Sequence, residues 1–211
     1  MSKIKTVKRI VPTSDLNKHC GITFGGSQAK VEAWPKNPDH LPLTLVMSIN
    51  CSLARFYFLL DTIPNNGIIY IFSTYHPSEY FLDLISTSGS VEDLQFISSG
   101  YTQVIYSEDL EAELIKSETY TIPETYTKIV DEHFEVDDFV VCSMITSETP
   151  KQLYLEKDIA KNYNVALQIY SSDFPNPYKD IFYLTDANAY LLIPKTQSST
   201  TFKGVFFISP S

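Results

Sequence analysis

Cysteine and glycine are both scarce in this chain of 211 residues, which has 3 of the first and 7 of the second. Cys20, Cys51 and Cys142 are far apart and odd in number, with no CxxC pair and no Cys/His ligand spacing. That excludes a disulfide scaffold and a zinc ribbon, and leaves three reduced, buried thiols in a cytoplasmic protein. The first fifteen residues lack the apolar run of a signal peptide. The longest apolar runs, at 56–60 and 67–72, fall far short of the roughly 18 residues that cross a bilayer, so no membrane association is expected. A basic face is missing as well. With 16 Lys and Arg against 25 Asp and Glu, the chain does not suit nucleic acid, whose phosphates need neutralising. No catalytic motif stands out, so neither an enzyme nor a cofactor is expected.

The four histidines, His19, His40, His76 and His133, are dispersed, and no metal site is expected from them. His133 lies between Glu132 and Glu135, a grouping that reads first as a solvated acidic face. His19 and Cys20 are adjacent, and adjacent side chains point apart on an extended chain, so the base does not reach the thiol.

Unbalanced acid is gathered in one stretch. From residue 108 to residue 138 there are eleven acids and only Lys116 and Lys128 as bases, a net −9 that equals the charge of the whole chain. The remaining fourteen bases and fourteen acids cancel. A neutral body therefore carries one acidic segment, and such a segment suits a basic partner. Tyr120, Tyr126, Phe134 and Phe139 lie among the acids, and aromatic anchors with a charged rim are what an interface uses.

Hydrophobic residues make up 44 %, with 14 Tyr and 13 Phe, enough to build a core of half-buried strands. Strands are predicted over 43–49, 68–72, 101–106, 139–145, 165–170, 181–184, 190–193 and 204–208, with a short edge strand over 3–11. Asn66-Gly67 is the turn before the second of these. Residues 12–42 read as a long loop-like lead-in. A short helix or irregular crossing is expected over 52–60, one or two helical turns over 79–85, and a helix over 151–161. Ser107 reads as the N-cap of a helix running to residue 115, with acids in its first turn. Val46-Met47-Ser48-Ile49 followed by a strand is echoed by Ala166-Leu167-Gln168-Ile169 followed by a strand. Either two strand-loop-strand units pack in tandem or the likeness is chance between apolar strands. The fold class expected is α+β: a β-rich single domain over 1–211 with mostly antiparallel sheets.

Gly25-Gly26, Trp34-Pro35, the strand ending Ser48-Ile49-Asn50, Pro64 with the strand from Gly67, Val104-Ile105-Tyr106, Leu167-Gln168-Ile169 and the Asp180 turn occur in an order that resembles the YwqG-like family of bacterial domains of unknown function. The resemblance covers about 20–209. Departures are Ser48 in place of a Gln, Gln28 in place of a Pro, and Tyr170 in place of an Asp. No family motif matches over 107–161, and the acidic insert, about 107–140, falls there. The resemblance implies a mixed α+β fold and supports the tandem units. It supplies no reaction, and some members sit beside secreted toxins as candidate immunity proteins.

Two functional readings follow. In the first, the chain is a cytoplasmic immunity protein, a monomer or weak oligomer, that neutralises a cognate toxin or other basic protein. Its contact residues would be Glu118, Tyr120, Glu124, Tyr126, Asp131, Glu132, Phe134, Glu135, Asp137 and Asp138. In the second, a housekeeping module binds or converts a small ligand in a cleft near Gly25, Gly26, Trp34, Pro35, Gln168 and Asp180. Each of those six also has a structural reading: a glycine turn, a core tryptophan, a hydrogen-bonded buried amide.

Overall fold

A computed structural model of the chain describes residues 4–58, 60–136, 138–146, 148–182, 187–196 and 202–209. The strands are β1 (Ile4–Pro12), β2 (Ile22–Phe24), β3 (Gln28–Ala29), β4 (Thr44–Asn50), β5 (Ile68–Ser73), β6 (Thr102–Ser107), β7 (Ile115–Lys116), β8 (Thr125–Glu135), β9 (Met144–Ile145), β10 (Tyr163–Tyr170), β11 (Asn188–Pro194) and β12 (Val205–Ser209). The α-helices are α1 (Cys51–Ala54), α2 (Val91–Phe96) and α3 (Lys157–Asn162), and α2 runs on into a π-helical turn, Ile97–Tyr101, with which it forms the α2 segment.

Ten of the strands form one antiparallel sheet in the order β12-β11-β10-β9-β1-β8-β2-β4-β5-β6, and β3 pairs with β7 beside it. The sheet nearly closes. The Thr102 hydroxyl on β6 donates to the Phe206 carbonyl on β12 at 2.6 Å, and Gly204 lies so close to Val104 that a Cβ there would meet it at 2.9 Å. The helices are four, six and six residues long, too short to form a layer of their own. This corrects the α+β expectation: the protein is mostly β, and its helices are patches on a sheet.

The two ends of the sheet are built alike. Met47 pairs with Ile71 and Ser48 with Tyr70 in β4–β5; Leu167 pairs with Leu191 and Gln168 with Tyr190 in β10–β11. Both pairs carry a bulge at the same point, between Leu45 and Met47 and between Val165 and Leu167. The register continues outward, since Tyr70 faces Ile105 of β6 as Tyr190 faces Phe207 of β12. It continues inward too: Thr23 of β2 faces Ser48 as Met144 of β9 faces Gln168. The halves are related about the central β1–β8 pair, in which Val11 faces Lys128. Each long strand joins the other's half, so β1 pairs with β9 and β8 with β2.

Inside the ring lies the main core, including Phe24, Ile49, Ile71, Ile169, Leu191 and Phe206, with the Phe24 and Phe174 rings stacked at 4.7 Å. Burial of such side chains contributes about 1.5–3 kcal/mol each. Each half also carries an outer layer. On the β4–β5–β6 half it is Ala29, Trp34, Leu43, Leu45, Tyr70 and Phe72. On the other half, Leu94 and Ile97 from the α2 segment and Ile159 from α3 pack over Val165, Tyr190, Leu192 and Phe207.

Several local expectations change. The edge strand expected over 3–11 is β1, Ile4–Pro12, with Lys3 outside the described residues, and β1 is paired on both sides and is central. The lead-in over 12–42 contains β2, which sits between β8 and β4. The helix expected from Ser107 to residue 115 is absent: Ser107 ends β6, and the Asp109 carboxylate accepts from the Glu111 N–H at 2.8 Å in a turn. Acidic residues 125–135 lie in β8, the longest strand. The strand expected over 139–145 shrinks to β9, and the helix expected over 151–161 begins at Lys157. Of the strand expected over 181–184, Ile181 and Phe182 form a buried turn and the other two residues lie outside the described ones. Among the described residues no helix is long and apolar enough to cross a membrane.

Candidate functional site: an acidic groove on one half of the sheet

The groove lies on the outer face of the β4–β5–β6 half. Its floor is Gln103 and Ile105 of β6 with Trp34 and Ile115 at the side, and its volume is about 860 Å³. One wall is the stretch 30–36, which bends at 31–33; the other is the loop that follows β6. The first wall is held in place by backbone pairing. The Leu43 N–H donates to the Pro35 carbonyl at 2.9 Å, and the Trp34 indole N–H donates to the Leu43 carbonyl at 2.7 Å. The Trp34 ring stands edge-on to Phe72 at 5.3 Å. The second wall is anchored by β7, whose Ile115 pairs with Ala29.

Charge in the groove is one-sided. Glu32, Glu108, Asp109 and Glu113 line it, all exposed, against Lys30 and Lys36. Lys36 is engaged by Glu118 at 3.4 Å. The same loop exposes two leucines, Leu110 (44 %) and Leu114 (47 %), beside the carboxylates. Apolar side chains on an acidic loop, next to an open apolar floor, can hold a segment that is itself apolar on one side and basic on the other.

The residues predicted for partner binding do not form one patch. Glu118 is at the groove, while Tyr120 meets Tyr75 and His76 edge-on at 6.0 and 5.9 Å. Tyr126 packs on the His19 ring at 4.9 Å, and its hydrogen bond to Glu124 pushes its phenol up. Along β8 the acids alternate between faces, as strand geometry requires. Ile129 faces Ile10 towards the core, and two residues on Asp131 faces Lys8, with an ion pair at 3.8 Å. On the opposite face Glu132 holds Arg9 at 2.9 Å, and Phe134 packs with Val7, Val140, Cys142 and Met144. The Asp138 carboxylate accepts from the Glu135 N–H at 2.8 Å; Asp137 lies outside the described residues. Much of the β8 acid is thus spoken for by β1, whose bases sit opposite it.

The small-ligand cleft does not assemble. Trp34 belongs to the outer layer of one half, and Gln168 is fully buried in the other, donating to the Val140 and Cys142 carbonyls and accepting from Gln152. Gly25 and Gly26 use their N–H groups on the Val46 and Ile122 carbonyls, so they do not cradle a phosphate. Gly25 has φ 68, and a Cβ there would meet the Ile122 carbonyl at 2.5 Å, which explains the glycine. Pro35 is buried in the groove wall, and Asp180 closes a 3₁₀ turn, Tyr178–Asp180.

Cysteine chemistry has a clear placement. Burial pushes the Cys51 thiol up to about 12 and the Cys142 thiol up to about 11, and it raises Cys20 as well. Cys20 contacts the Thr127 hydroxyl, whereas the His19 ring contacts the Thr127 carbonyl, so the imidazole is not on the thiol. Among the described residues no group of three His, Cys, Asp or Glu is placed to hold a metal ion.

Glu32, Glu108, Asp109 and Glu113 were not among the residues predicted to bind. For the last three the signal is in the sequence: Glu108-Asp109-Leu110-Glu111-Ala112-Glu113-Leu114 carries four acids with two leucines among them. In sequence the same stretch has the form of the acidic first turns of a capped helix.

A family described as "Domain of unknown function (DUF1963)" matches residues 24–197. No curated protein matches the chain.

Proposed function

The chain belongs to the DUF1963 family, and on that premise we propose that it is a non-catalytic binding protein that captures a basic protein partner in the acidic groove. The partner is a bacterial toxin that this protein neutralises as its immunity protein, in keeping with the likeness to YwqG-like domains. The observation that carries this reading is the charge and make-up of the groove: the exposed carboxylates of Glu32, Glu108, Asp109 and Glu113 around a floor that presents Ile105, with Ile115 at the side. Carboxylates steer a basic partner and raise its on-rate, while the apolar floor supplies the buried contact. Three unpaired buried thiols suit a reducing compartment and a cytoplasmic site of action.

The contact surface differs from the one the sequence suggests. It centres on 108–118 and the facing wall at 30–36, and β8 contributes only at its margin. Co-expression with the product of the neighbouring gene tests the function. Growth rescue and a stable, salt-sensitive complex are expected, and both are lost on the double change Glu108→Lys, Glu113→Lys. No complex and no rescue with the unaltered protein would overturn the reading.

A further inference from the structure

The pseudo-symmetry of the sheet says what shape the groove takes. In the β10–β11–β12 half, the outer face of β12 is covered by the α2 segment: Leu94 and Ile97 pack on Phe207 and Leu192, with Val91 and Val205 at the margin. The N-terminus of α2 is tied to the adjoining wall, where the Val91 N–H donates to the Glu156 carboxylate at 3.2 Å. By register, Ile105 of β6 is the counterpart of Phe207, and Gln103 is the counterpart of Val205. The acidic groove therefore lies over Ile105 and Gln103, the counterparts of Phe207 and Val205 beneath the α2 segment, while Phe72, the counterpart of Leu192, is covered by Trp34.

The β5-to-β6 connection, 74–101, carries α2; the described residues of the corresponding β11-to-β12 connection, 195–196 and 202–204, carry no helix. The two halves also differ in burial. Phe207 is fully buried under α2, and Ile105 is only half-buried.

Resting on the basic-partner reading above, we infer that the groove binds a short amphipathic α-helix of the partner protein, docked as α2 docks on the other half, with its apolar stripe on Ile105, Ile115 and Trp34 and its basic flanks on Glu32, Glu108 and Glu113. The stripe recurs at i, i+3, i+4 and i+7, the spacing that keeps apolar side chains on one helical face. The basic flank answers the four carboxylates of the groove.

The test uses the full-length protein and three labelled synthetic peptides of equal length. One is a Leu/Lys peptide with Leu at i, i+3, i+4 and i+7. The second has the same composition scrambled, and the third is the Leu/Glu equivalent of the first. Binding is read by anisotropy and by the fluorescence of Trp34, the one tryptophan in the chain. The amphipathic Leu/Lys peptide is expected to bind at least about tenfold more tightly than either of the others, with a change in Trp34 emission. Ile105→Arg should abolish the preference, and Glu108→Lys with Glu113→Lys, on exposed residues, provides an independent check should the first variant fold poorly. Equal binding of the scrambled peptide would overturn the helical inference and leave the basic-partner reading standing. Equal binding of the Leu/Glu peptide would overturn the basic-partner reading and leave a helix site. No binding by any of the three would overturn the inference as stated.

Discussion

Ser48 and Gln168 hold the same position in the two halves of the sheet, each facing a tyrosine, Tyr70 and Tyr190 respectively. Their environments differ. Ser48 is half-buried, while Gln168 is fully buried and its amide donates to the Val140 and Cys142 carbonyls at 2.8 and 2.9 Å. Gln168→Leu strands the Cys142 carbonyl and one Gln152 donor, and should cost about 2–4 kcal/mol. Ser48→Ala should stay within about 0.5 kcal/mol. Urea denaturation of the two variants measures the difference, and equal losses would contradict the network.

The thiols should be silent in the folded protein. Cys20, Cys51 and Cys142 are at most 2 % exposed, and burial holds all three protonated well above neutral pH, with Cys51 at about 12. Since only the thiolate reacts, a disulfide reagent at mildly alkaline pH should label none of them quickly. All three should react once the chain is unfolded. Rapid labelling of even one thiol in the native protein would show that its part of the core opens.

Asp93 gives a pH dependence with a definite sign. Burial alone would raise its carboxyl, but hydrogen bonds from the Thr87 hydroxyl, the Ser88 N–H and hydroxyl, and the Ser90 cap outweigh it and hold it below the ordinary 3.8. A group whose folded value is depressed contributes stability that is present above 3.8 and lost as pH falls through the lower folded value. The urea midpoint should therefore drop as pH is taken from neutral to below the carboxylate range. Asp93→Asn should flatten the part of that drop that belongs to α2, and an unchanged pH profile in the variant would remove Asp93 from the account.

Much of the sheet was legible because inward residues alternate with outward ones and punctuation is clear. Asn66-Gly67 before β5, and the apolar runs of β4, β10, β11 and β12, mark themselves. β2 was hidden because three residues, Ile22–Phe24, leave no period to read. β8 was hidden for a different reason. Only Thr127 and Ile129 face the core, and beyond them the strand bears Asp131, His133 and Glu135 opposite the equally polar Lys8 and Thr6. A strand that continues past its core loses the hydrophobic half of its pattern. The helix after Ser107 does not form: Leu110 and Leu114, spaced for one helical face, are exposed, and the Asp109 carboxylate closes a turn on the Glu111 N–H. The tandem echo was legible only as a sequence likeness. Its consequence, a groove where one half lacks the other's helix, required the register.

The most direct test of the groove as the binding surface is a map of contacts on the ¹⁵N-labelled protein titrated with the amphipathic Leu/Lys peptide. The account predicts amide shift changes confined to residues 30–36 and 103–118, weakening with added salt over the range in which the Debye length falls below about 10 Å. Shift changes centred on Asp131, Glu132 and Glu135 of β8, with the groove unperturbed, would contradict it.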